Sequence, residues 1–200
     1  MCIRALVLAG VLMVGGGMQM RAQMSGPPPS PPIGTKEDPA RAVDGLLSMM
    51  EFQVMGAAKA MPADKYSFAP AQGIFAPGQT TQFDTVRTFV AQVTHLAQAN
   101  YFFAGVLSGL KPDVDVKAIA DLKDKDQIVA AAQGSFDFAR KAMATLTTQN
   151  AFESVQFNPL GNATRAGMAG FLVAHGFDHY GQMALYLRMN GVVPPASAKE

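Results

Sequence analysis

Residues 162–191 read NATRAGMAGFLVAHGFDHYGQMALYLRMNG, and this stretch decides how the rest of the chain is read. Its apolar positions, Met168, Phe171, Leu172, Val173, Phe177, Met183, Leu185 and Leu187, predict a long, largely buried helix. The chain has three histidines, and two of them, His175 and His179, lie here four residues apart. At about 100° per residue that spacing puts both imidazoles on one face, one turn apart. Met168 and Leu172 before them, and Gln182 and Tyr186 after them, continue the same face, so the histidines point to where the helix meets its partners.

Three more amphipathic segments precede this one. Asp38-Pro39 reads as a cap followed by proline at the first helical position, where a missing N–H does no harm. Val43, Leu46, Leu47, Met50 and Val54 follow at three- and four-residue steps, predicting a first helix that runs to about residue 61 and stops at Pro62. Residues 62–79 are punctuated by Pro and Gly, and Tyr66, Phe68, Ile74 and Phe75 within them are expected to pack as a lid over the bundle end. Thr81-x-x-Asp84 resembles a capping box, and a second helix follows on the stripe Thr88, Ala91, His95, Ala99, Phe102 and Val106, ending near residues 109–112. The third histidine sits mid-stripe, with Ala91 and Ala99 leaving room on either side.

Residues 111–125 form a charged connection with a short helical piece at 116–122. Asp124-x-x-Gln127 then opens a third helix with the stripe Ile128, Ala132, Phe136, Ala139, Met143 and Leu146. Residues 147–161 are aperiodic and broken at Asn158-Pro159. No segment shows a sustained two-residue alternation, so the expected fold is all-α, a four-helix bundle with long inter-helix loops over residues 38–194 and a tail at 195–200. Asn162-Ala163-Thr164 matches a glycosylation acceptor but, beside a helix start, reads better as a cap.

The front of the chain differs in composition. A basic start, an apolar run over residues 5–16 and a small, polar stretch to residue 23 have the layout of a signal peptide, which predicts an exported, periplasmic or extracellular protein. An uncleaved anchor is the alternative, against which Gly15, Gly16 and Gly17 argue. Residues 24–37 carry five prolines and read as a polyproline-like linker. The single cysteine, Cys2, lies in the leader, so a mature chain would have no disulfide, no thiolate ligand and no cysteine nucleophile. A net charge of +1 with 16% charged residues shows no basic patch, so no nucleic-acid partner is expected; a membrane would be met only through the leader.

Three imidazoles on core faces converge if the middle of the second helix packs on the middle of the last, and with open positions they make a transition-metal site. Structural histidines are the alternative, and would need a separate explanation for each ring. A zinc protease of the H-E-x-x-H kind is excluded, because Gly176 stands where its general-base glutamate would be. Gly176 and Gly181 instead suggest close packing or space beside a ligand. Asp178 and Gln182 are the candidates for supporting the ligands from behind, Asp178 by orienting an imidazole and Gln182 by reaching a bound water. No catalytic acid or base stands out; Glu153 and Asp178 are the nearest guesses.

The pattern His175-x-x-x-His179-Tyr180-Gly181-Gln182-x-x-x-Tyr186-Leu187-Arg188-x-x-Gly191-x-x-Pro194, with THLAQANYFFAGVLSG around His95, resembles the DinB-like family, named for DNA-damage-inducible proteins. That resemblance covers roughly residues 38–194 and implies a four-helix bundle holding a divalent metal through one histidine of the second helix and two of the fourth. At the matching positions the ligands are His95, His175 and His179. By ligand type the ion expected is Zn²⁺ or Ni²⁺. The leading expectation is an exported metal-dependent hydrolase that uses a metal-bound water on an unidentified small molecule. The alternatives are a metal-dependent thiol transferase or isomerase, as the resemblance implies for some members, and a non-catalytic metal-stabilised binding module. The apolar excess also leaves room for a homodimer face.

Overall fold

The computed structural model describes residues 31–74, 76–158 and 161–198. The proposed leader, most of the linker before residue 31, and Phe75 lie outside that set. The described remainder of the linker, residues 31–37, has only a turn closed by Thr35 N–H on the Pro32 carbonyl. Among the described residues no helix is long and apolar enough to cross a membrane.

Four helices dominate: α1 (Pro39–Ala60), α2 (Phe89–Ser108), α3 (Lys125–Met143) and α4 (Arg165–Met189). Each starts where a short polar side chain can accept from an otherwise orphaned N–H. Asp38 accepts from Ala40, Thr88 from Ala91, Asp124 from Gln127 and Thr164 from Gly167. The C-terminal carbonyls of α1 are met by Lys125 Nζ, 2.8 Å from both the Lys59 and Met61 oxygens, which ties the start of α3 to the end of α1. Gly109, at φ 77°, closes α2 in the left-handed conformation.

Around the bundle α1 neighbours α4, α4 neighbours α2, α2 neighbours α3, and α3 neighbours α1. Helices consecutive in sequence as α1–α2 and α3–α4 are therefore diagonal, and their connections must cross a bundle end. This is why residues 61–88 and 144–164 are long. The first crossing is anchored rather than loose: Phe89 and Val90 N–H donate to the Phe68 and Tyr66 carbonyls at 2.8 Å, and the Tyr66 hydroxyl donates to the Ala58 carbonyl at 2.6 Å. Tyr66 packs edge-on to Phe89, and Phe68 edge-on to Tyr186 of α4. Ile74, expected in the same plug, is half exposed.

Helix α2 starts later than the Thr81-x-x-Asp84 pattern suggested. Thr85 sits at φ 69°, which interrupts any helix through it, and Thr88 is the cap. The second crossing contains a strand pair that four-residue segments could not announce by periodicity. β1 (Ser154–Phe157) runs antiparallel to β2 (Gly161–Thr164), with Ser154 opposite Thr164. Asn162 thus pairs in a strand, and the cap of α4 is Thr164 alone. After α4 a 3-10 turn at Pro195–Ser197 returns to α1, with Pro195 against Gly56.

The core fills the ring between the helices, with Leu47, Met50, Phe89, Leu96, Phe136, Met168 and Leu172 all under 2% exposed. Burial of this many large side chains, each worth about 1.5–3 kcal/mol, is what holds the helices in register. Phe171 and Leu185 do not join it, at 40% and 51% exposed.

Candidate metal centre

On α2 the buried side is Phe89, Val93, Leu96, Ala97, Asn100 and Ala104, so the stripe through His95 lies at the edge of the α2–α4 seam instead of at its centre. That edge position gives His95 both a core neighbour and access to solvent. Its ring centroid lies 5.4 Å from that of His175 and 4.9 Å from that of His179, and the latter two are 4.5 Å apart. One ring nitrogen from each can be chosen so that all three lie within 4.8 Å of one another. His179 is buried, at 4% exposed, while His95 and His175 are half-buried.

The polar groups behind His179 form a chain whose direction can be worked out. The Asp178 carboxylate can only accept, so Gln182 Nε2 donates to it at 3.3 Å. Gln182 Oε1 then accepts from Gln92 Nε2 at 2.7 Å. Gln92 Oε1 is left to face His179 Nδ1 at 2.6 Å, so Nδ1 carries the proton and Nε2 holds the lone pair. Among the described residues no hydrogen bond joins Asp178 to an imidazole; its carboxylate sets the polarity of a relay through Gln182 and Gln92. Gln182 is engaged in that relay through both ends of its amide. Gln92 is the residue that sequence reasoning missed. Its position one turn before His95 was the available signal, but only its burial against α4 shows it to be the direct partner of His179.

His175 Nε2 is buried and has no hydrogen-bond partner among the described residues. Among the described residues two other buried polar atoms share that condition, Asn100 Oδ1 and Arg165 Nε, but Asn100 Nδ2 donates to Ser135 and Arg165 also bonds the Leu107 carbonyl. Aromatic rings wall His175 on its other side: Phe103 is perpendicular at 5.2 Å and Phe171 stacks at 6.2 Å.

Burial pushes all three imidazoles below their ordinary pKa. For His179 it does so down to about 4, with the rings of His175 and His95 adding to the effect. Burial is also the largest cause at His95, followed by the Arg87 guanidinium and His175. At His175 burial is opposed by Asp178 and reinforced by Arg87. Near neutral pH the cluster is thus three uncharged imidazoles with lone pairs to offer, the protonation state a cation requires.

The residues fit a divalent transition metal. The donors are all imidazole, a set that suits Zn, Cu, Fe or Ni, and a buried ring nitrogen waits without a partner. Three such ligands, rather than four, would leave coordination positions free on a bound ion, and His95 and His175 both border open cavities. Glu153, by contrast, pairs with Arg165 at 3.4 Å and lines neither of those cavities. Gly176 faces away from the site: a Cβ there would lie 1.7 Å from Met50 Sδ of α1. Gly181 has nothing near its Cβ position, so of the two glycines only Gly176 serves close packing.

No curated protein matches the chain. From residue 46 in the second turn of α1 to residue 183 in α4, a span that includes all three histidines, the sequence matches the DinB superfamily, and the chain belongs to that family.

Proposed function

We propose that this protein is an exported metal-dependent hydrolase in which His95, His175 and His179 hold a divalent transition ion, Zn²⁺ or Ni²⁺ by donor type. The observation that carries the reading is the convergence of three neutral ring nitrogens, one buried without a partner, beside two open cavities. An ion held there would supply Lewis-acid polarisation of a water or a carbonyl oxygen. The chain's own residues do the rest. Gln92 keeps His179 in the tautomer with Nε2 free, Phe103 and Phe171 pack on His175 and give the adjoining cavity an apolar wall, and Arg87 brings positive charge to the rim. Export rests on the layout of residues 1–23.

Metal analysis of the purified full chain tests the site: about one transition ion per chain in the wild type and little in His175→Ala. Equal content in both sinks it. Chelator-sensitive release of alcohol from a panel of small esters tests the reaction. A thiol-activating transferase is the second reading, and one feature favours it: no carboxylate among the described residues lines either cavity, and a thiol, with its pKa near 8.5, needs no general base once a cation is beside it. Turnover that appears only with an added low-molecular-weight thiol would select that reading.

A further inference from the structure

Two cavities of different chemistry, one walled by phenylalanines and one carrying two cations, meet at His95. One, of about 430 Å³, is walled by Phe102, Phe103, Phe157 and Phe171 together with His95 and His175. The other, of about 360 Å³, is walled by Arg87, Thr88, Thr94 and Lys123 together with His95. His95 and Gln98 belong to both, so the cavities adjoin across one turn of α2. Neither Arg87 nor Lys123 forms an ion pair among the described residues, and no Asp or Glu among them lines either cavity. The backbone under Arg87 is fixed, since its carbonyl accepts from the Tyr186 hydroxyl of α4 at 3.1 Å.

A guanidinium and an ammonium with no compensating carboxylate recruit an anion, and a guanidinium does so with a planar, two-pronged donor. Four phenylalanine rings offer the complementary surface to an aromatic or acyl group. We propose that the substrate is a small amphipathic anion, in which an ester or amide linkage joins an aromatic or acyl group, seated among the phenylalanines, to a carboxylate- or phosphate-bearing part held by Arg87 and Lys123. The proposal rests on the metal-hydrolase reading and puts the linkage at the shared wall, beside His95. Hydrolysis there balances simply. The water oxygen bonds to the acyl carbon and the acyl–oxygen or acyl–nitrogen bond breaks. One water proton passes to the leaving alcohol or amine, and the other is released from the new carboxylic acid.

Calorimetric binding of uncleavable probes tests this on the full chain, first with chelator and then after zinc loading. The probes are 4-phenylbutyrate, 3-phenylpropyl phosphate and the neutral 4-phenylbutanamide. In chelator, where no ion can attract the headgroup, at least one of the two anions should bind tenfold or more tightly than the amide, and the tighter of them names the headgroup. Arg87→Gln should erase that preference while leaving amide binding unchanged. Phe102→Ser, at a side chain that is half exposed, should weaken acid and amide alike. Equal binding of anions and amide, or an undiminished preference in Arg87→Gln, overturns the proposal. If the preference holds in a protein that takes up no metal, the pocket assignment stands and the hydrolase reading fails; if metal binds and the preference is absent, the reverse is true.

Discussion

Two seams of the same bundle carry polar groups across helices, and they do so to different ends. In the α1–α3 seam Arg140 bonds Asp44 and reaches Glu51 at 2.6 Å, and Gln133 bonds the other oxygen of Glu51 at 2.6 Å. Donors there are matched to acceptors within the seam. In the α2–α4 seam the relay from Asp178 to His179 is matched in the same way, but it ends on a ring that packs with two more imidazoles, one of them with a buried nitrogen that bonds nothing among the described residues. Leaving such a group unpartnered costs about 1–3 kcal/mol. A seam that only had to join helices could avoid that cost with apolar side chains; one that binds a cation could not. Asn100 Oδ1 also lacks a partner, but it stands alone beside Ser135, whereas the His175 nitrogen stands among three converging imidazoles that could hold an ion.

The sharpest way to break this comparison is to add the ion. Zinc at a thousand times its dissociation constant should stabilise the wild type by about 4 kcal/mol, read as a rise in Tm. His179→Ala should show no such rise, whereas Arg140→Ala should keep it in full. A rise that survives in His179→Ala would place the ion elsewhere.

Acid should separate the seams next. The pKa of His179 is about 4 in the fold and about 6.5 in the unfolded chain, so below pH 6.5 the unfolded state binds the proton first. Stability of the metal-free protein is therefore fully present above pH 6.5 and is lost as pH falls toward 4, by up to about 3 kcal/mol from this residue. His95 and His175, also shifted downward, act in the same direction. Denaturant titrations at pH 7 and pH 4 should show a smaller difference for His179→Ala than for the wild type.

Much of this is legible in the sequence alone. Asp38, Asp124 and the stripe from Ile128 to Leu146 describe real caps and a real buried face, because local capping and 3.6-residue periodicity are carried by the residues themselves. The pairing of His95 with His175 and His179 was legible for a narrower reason, a family-like pattern in two segments, and the cluster in the structure agrees with it. What escaped depends on which helices are neighbours. Gln92 matters only because α2 lies on α4, and Arg87 only because a diagonal crossing brings the chain back beside the histidines. β1 and β2 are too short to show a period, and Thr85 needed its backbone angle to be recognised as a break.

The two glycines near the histidines give a smaller test. The sequence reading treated Gly176 and Gly181 alike, but only Gly176 lies against another helix, where Met50 is fully buried and cannot swing outward. Gly176→Ala should cost about 1–3 kcal/mol by overpacking the α1–α4 contact. Gly181→Ala meets open space and should stabilise by about 0.5–1 kcal/mol through helix propensity. Neither should alter zinc stoichiometry; if Gly181→Ala lowers it, that glycine borders the site after all.

The smallest expected effect lies in the first seam. Arg140 and its partners are partly solvated, with side-chain exposures of 40%, 48% and 20% for Arg140, Asp44 and Glu51. Exposed ion pairs contribute about 0–1 kcal/mol, and the contact of one guanidinium with two carboxylates places this one toward the upper end. Arg140→Ala should therefore cost no more than about 1 kcal/mol, and the cost should shrink as ionic strength rises and the charges are screened. A loss well above that, insensitive to salt, would mean that the α1–α3 network is a buried joint on which the bundle depends. The contrast between the seams would then be one of depth as well as of matched and unmatched groups.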